Sequence, residues 1–81
     1  MIAIEELLEP YPITMQIPVY WGDHDAMQHV NNTVYIRWME HVRLLFFDTI
    51  GVSESMKQTG VGTILASIQC RYRAPVTFPD T

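Results

Sequence analysis

Asp23, His24, Asp25, His29, Asn31 and Asn32 crowd one short stretch of this chain. A strand-like run enters the stretch and a long apolar helical pattern leaves it. The polar cluster therefore falls at a helix N-terminus, where backbone N–H groups lack partners and partial positive charge collects. Such a place holds a carbonyl oxygen well. A carboxylate or an imidazole beside it can attack that carbonyl or draw a proton from water.

Other chemistries find less support. A metal site needs three or four converging ligands with fixed neighbours. His24 and Asp25 are adjacent and tend to diverge, so a site built from Asp23, His24, Asp25 and His29 is not expected. No Ser-His-Asp order with supporting context is present. Nine acids outnumber five basic residues, and the formal net charge is −4. Nucleic acid demands a concentrated basic face, whereas Arg37, Arg43, Lys57, Arg71 and Arg73 are scattered. Arg71 and Arg73 share one face of a predicted strand. They are either a solvated edge or a contact to a small phosphorylated ligand.

The polar cluster needs elements to position it. Residues 2–9 read as one or two amphipathic turns, ended by Pro10 and Pro12. Ile13, Met15, Ile17, Val19 and Trp21 alternate with polar neighbours, which predicts a half-buried strand over Ile13–Trp21. Pro18 places it at an edge or a bulge. A loop follows over Gly22–Asn31. The helix is predicted from about Thr33 to about Ile50, with Asn32 or Asn31 as N-cap and Gly51 as the stop. It is roughly 27 Å long. Val34, Tyr35, Trp38, Met39, Val42, Phe46 and Ile50 fill one wide apolar arc, the mark of a helix contacted on most sides. Ser53–Thr59 reads as a capped turn stopped by Gly60. Val61–Arg73 reads as a long strand whose Ile64, Ala66 and Ile68 should pack on the arc. Ala74–Thr81 is a turn-rich exit.

Composition frames the rest. The chain has 81 residues, 48% of them hydrophobic, which is globular and fits one domain. Cys70 is the only cysteine, so no internal disulfide forms, and a cytoplasmic setting fits. No apolar run approaches the roughly 18 residues of a membrane span. The acidic start (Glu5, Glu6) lacks the basic opening of a signal peptide. A chain this short buries only about 60% of its unfolded surface, and two strands cannot cover so greasy a helix. It is expected to be part of a larger α+β unit or to complete itself with a partner.

The run Tyr20-Trp21-Gly22-Asp23-His24-Asp25-Ala26-Met27-Gln28-His29-Val30-Asn31-Asn32, with Tyr35, Glu40 and Arg43, resembles the hot-dog-fold acyl-CoA thioesterases of the 4-hydroxybenzoyl-CoA thioesterase type. Gly62-Thr63-Ile64-Leu65, Tyr72-Arg73-Ala74-Pro75 and Pro79-Asp80 resemble that family's second strand and its exit. The resemblance implies an α+β hot-dog domain over residues 1–81, incomplete at this length, in which an antiparallel sheet wraps a long central helix. It implies an acyl-CoA or related thioester substrate and a homodimer or homotetramer. No cofactor, metal, nucleic acid or membrane is implied. Asp25 takes the place of the family's nucleophile or general base, and the backbone N–H of about Asn32 polarises the thioester carbonyl. His29 either orients the carboxylate or a water, or packs the loop. Asn31, Thr33 and Val34 fall where substrate is bound. Gln28 stands where the family often has glycine, so a different turn is expected there.

Plainer roles stand beside these. Asp25 can cap the loop. Asp23 reads as a turn former beside Gly22. Asn31 and Asn32 are capping residues. Glu40 and Arg43 are spaced for a partly buried ion pair, and Cys70 for a small buried hydrophobe. The competing functional reading is a non-catalytic hot-dog chain that binds acyl thioesters or only self-associates.

Overall fold

The computed structural model describes residues 3–81. The predicted turns over residues 2–9 lie partly outside that range. Within it, helix α1 spans Ile4–Leu8, with Glu5 and Glu6 in its first turn. It buries none of its residues. A 3₁₀ turn follows at Trp21–Asp23, then α2 over Asn32–Thr49 and α3 over Val52–Thr59.

The long helix lies where its periodicity puts it. Asn31 is the N-cap, and its side-chain oxygen accepts the Thr33 N–H. Gly51 takes φ 86° after the helix, a left-handed conformation that costs glycine little. Gly60 ends α3 in the same way, at φ 71°. The cap of α3 is Gly51 rather than Ser53. On α2, Arg43 meets Glu40 at 2.6 Å and lies over the Phe47 ring at 5.8 Å. That is the expected pair one turn apart.

The strands are a different matter. Among the described residues there is no β-ladder, only an isolated antiparallel bridge between His24 and Val30. Ile13–Trp21 and Val61–Arg73 do not pair with each other. A strand exists by hydrogen-bonding to a neighbour, and alternation in sequence specifies a face but not that neighbour. The antiparallel sheet expected around α2 is therefore not formed by these residues. Nor do Ile64, Ala66 and Ile68 cover the helix: Ile64 is 95% exposed, and the other two are also exposed. Leu44, Phe46 and Ile50 on α2 are open as well. Tyr35, Trp38, Met39 and Val42 line an apolar trough with half-buried Cys70.

What is packed is the beginning of α2. Val19, Val30 and Val34 form the buried core, with Tyr35, Trp38 and Val76 against it. The exit segment clasps the loop that precedes the helix. Val19 N–H donates to the Asp80 carbonyl at 2.8 Å, and Val30 N–H to the Val76 carbonyl at 2.8 Å. Phe78 N–H donates to His24 Nε2 at 2.7 Å. The N-terminal end of α2 is thus fixed from two directions.

This core predicts an uneven response to truncation. Val30 is 1% exposed, so Val30→Ala should cost about 2 kcal/mol of unfolding free energy, from lost burial plus the cavity left behind. Val61→Ala, at a position 72% exposed, should cost under about 0.5 kcal/mol. Urea unfolding followed by circular dichroism checks both. Equal losses would mean that the core is not where the packing places it.

Candidate active site

The loop before α2 folds by local chemistry. Gln28 N–H closes a tight turn onto the Asp25 carbonyl at 3.0 Å, and Asp25 N–H reaches the His29 carbonyl at 3.1 Å. Gln28 follows the turn with φ 64°, the left-handed conformation. Tight turns followed by a left-handed residue usually place glycine there. A side chain in that conformation costs about 1–2 kcal/mol. Gln28 thus holds a conformation that glycine takes at little cost.

The two acids have different tasks. Asp23 Oδ2 accepts the Tyr20 N–H at 2.8 Å, and its carbonyl accepts the Asn31 N–H at 3.0 Å. It braces the 3₁₀ turn, as its place beside Gly22 predicts. Asp25 Oδ1 accepts the Met27 N–H at 2.8 Å, an Asx-type brace of the loop. Its Oδ2 lies 3.4 Å from Asn31 Nδ2. The Asn31 oxygen accepts both the Thr33 N–H at 2.9 Å and the Thr33 hydroxyl at 2.8 Å. One amide side chain thus ties the Asp25 carboxylate to the helix start.

The first N–H groups of α2 are unequally occupied. Thr33 N–H is capped by the Asn31 side chain, and Val34 N–H donates to the Asn31 carbonyl at 3.0 Å. Asn32 N–H makes no hydrogen bond to the described residues. An unpartnered N–H at the positive end of a helix is a donor for a carbonyl oxygen or an oxyanion.

Two clefts divide the cluster. Asn32 and His29 border one of about 280 Å³, together with Tyr35, Tyr72, Arg73 and Pro75. Asp25 borders another, walled by Trp21, His24, Gln28 and Phe78. The structure therefore brings His29 and Asn32 to one cleft and Asp25 to a different one. Val34, expected near substrate, is buried in the core instead, and its side chain lines a separate cleft with Arg37 and Trp38. Its valine face is claimed by Val19 and Val30.

Tyr72 enters the site without having been singled out for it, and Arg73, one of the two arginines weighed as a contact to a phosphorylated ligand, enters with it. The Tyr72 hydroxyl donates to the Asn32 carbonyl at 3.0 Å, and its ring meets Tyr35 edge-on at 5.1 Å. Desolvation first, then the Cys70 thiol and Tyr35, push the Tyr72 phenol up from its ordinary value. It therefore keeps its proton, and its donor role, at neutral pH. Nothing local in the sequence links it to Asn32.

A metal has no ready seat. Among the described residues no three His, Cys, Asp or Glu converge. Asp23 Oδ2 is turned to the Tyr20 N–H, and His24 Nε2 already accepts from Phe78. No helix among these residues is long and apolar enough to cross a membrane.

Residues 19–81 match the model of a family described as the thioesterase-like superfamily. The chain belongs to that superfamily. The matched range takes in the whole polar loop, α2 and the exit segment. The match supports a hot-dog thioesterase family and a hydrolase acting on thioesters in general. No solved structure matches the chain. For a thioesterase, a helix N-terminus with a free N–H beside an imidazole and a braced carboxylate is apt equipment, because an attacked thioester carbonyl becomes an oxyanion.

Asn31 offers a direct test of how the site is held. Asn31→Ala removes the cap and should cost about 1 kcal/mol. Asn31→Asp keeps an acceptor for Thr33 N–H but sets a second carboxylate against Asp25 where an N–H donated before. It should recover only part of that loss at pH 7. Thermal melts of the three proteins decide this. A fully stable Asn31→Ala would show that the cap does not hold the loop.

Proposed function

We propose that the protein is an acyl-CoA thioesterase of the 4-hydroxybenzoyl-CoA thioesterase type, hydrolysing acyl-CoA with water to the free acid and CoA. One observation carries the reading: the unpartnered Asn32 N–H borders a cleft, with the Asp25 carboxylate tethered to the same helix start through Asn31. The thioester oxygen would accept from Asn32 N–H. Asp25 would attack the carbonyl carbon or take a proton from the water that does. The C–S bond then breaks, and the thiolate leaves and is protonated. Where Asp25 has attacked, water hydrolyses the resulting mixed anhydride, which releases the free acid and restores the carboxylate. His29, in the cleft of Asn32, would orient that water.

A second assignment has its own observation. His29 shares the cleft of Asn32 while Asp25 borders a different one with both oxygens engaged. On that assignment His29 is the base and Asp25 only braces the loop. A thiol-release assay on a panel of acyl-CoAs separates the two. On the main reading Asp25→Asn lowers kcat by about 10²–10⁴, the usual worth of a positioned base, with KM little changed. His29→Gln then costs less than about tenfold. The reverse order would move the base to His29. If no acyl-CoA is cleaved by the full-length protein, the chain is a thioester-binding or self-associating relative.

We also propose that it works as a homodimer or homotetramer. The open apolar side of α2, with Phe46 and the C-cap Ile50 exposed on the same side as the apolar trough, is what supports this. Sedimentation of the full-length protein at micromolar concentration should show a dimer or larger species. A stable monomer would overturn the assignment.

A further inference from the structure

Arg73 borders the same cleft as Asn32, His29 and Tyr72. It is exposed and has no acidic partner among the described residues, where the one ion pair is Glu40–Arg43. A surface arginine ordinarily trails into water, but the backbone carrying this one is tied down on both sides. Tyr72 before it is bonded to the Asn32 carbonyl at 3.0 Å and packed on Tyr35. Val76 after it holds Val30 N–H at 2.8 Å. Arg73 is therefore held at the cleft beside the helix start, and its guanidinium carries a planar set of donors that matches phosphate. Arg71 does not join it. Arg71 borders a separate cleft with Gln69 and Cys70, because the stretch does not run as a strand with one shared face.

We propose that Arg73 is a specificity residue that binds a phosphate on the thiol half of a phosphopantetheine thioester. The proposal rests on the thioester reading of the site and adds the group by which the carrier is recognised. That phosphate occurs both in CoA and in the arm of an acyl carrier protein, and the chemistry offered to Arg73 is the same in each.

The test compares acyl-CoA, the same acyl group on a carrier protein, and its N-acetylcysteamine thioester, which has no phosphate. For Arg73→Met, the ratio of kcat/KM on acyl-CoA to that on the N-acetylcysteamine thioester should fall about tenfold or more, the loss of a charge-assisted hydrogen bond. The fall should lie in KM, and Arg73→Lys should recover part of it. Dependence on Arg73 for the carrier-bound substrate alone would name that source. Loss of Arg73 that leaves both the acyl-CoA and the carrier-bound substrate unchanged relative to the N-acetylcysteamine thioester would overturn the proposal. Calorimetry with phosphopantetheine and pantetheine supplies a readout free of turnover. The wild-type protein should prefer the phosphorylated form, and Arg73→Met should not. Arg73-dependent preference without any thioester cleavage would overturn hydrolysis and leave this binding role standing. Cleavage with a phosphate preference that survives Arg73→Met would do the opposite. A wild-type protein with no such preference would remove the role altogether.

Discussion

The Asn31 side chain has to satisfy two groups at once. The helix start needs an acceptor for the Thr33 N–H, and the Asp25 carboxylate needs a donor. Only an amide of this length offers both. The cap is short, at 2.9 Å, while the contact to Asp25 is long, at 3.4 Å. Position is therefore set mainly at the helix, and the carboxylate is drawn to it. Because Asn31 serves Thr33 and Val34, the Asn32 N–H is left open. The vacancy at Asn32 and the tether on Asp25 have a single origin.

Support for this arrangement is concentrated where it is needed. Val19, Val30 and Val34 are buried beside the helix start, and the exit segment is bonded across them. Further along, Leu44, Phe46 and Ile50 meet solvent. The gradient runs along α2 from a packed beginning to an open far end. The polar loop lies at the packed end, so its geometry does not depend on how the other end is covered.

Features governed by near neighbours were legible in the sequence. The span of α2, its Asn31 cap, the Gly51 stop and the Glu40–Arg43 pair all follow from spacing within a turn or two. Asp23 as a turn brace belongs to the same class. Features needing distant partners were not legible. Alternation over Val61–Arg73 marked a face but supplied no strand to bond with. Tyr72 lies far from Asn32 in sequence, and no periodicity joins them. The division of Asp25 and His29 between two clefts was equally hidden, since both sit in one short loop and both clefts are lined partly by the exit segment.

The bond from Phe78 to His24 divides the two imidazoles of the loop. An imidazole nitrogen that takes an N–H is engaged as an acceptor, and His24 Nε2 is so engaged by the exit segment. His24 is thereby committed to architecture. Its ring leans on Trp21 and Phe78 and serves as a fixed acceptor. Of the two imidazoles in the loop, only His29 keeps both nitrogens outside the hydrogen bonds of the described residues. The exit segment thus engages one imidazole of the loop and leaves the other open.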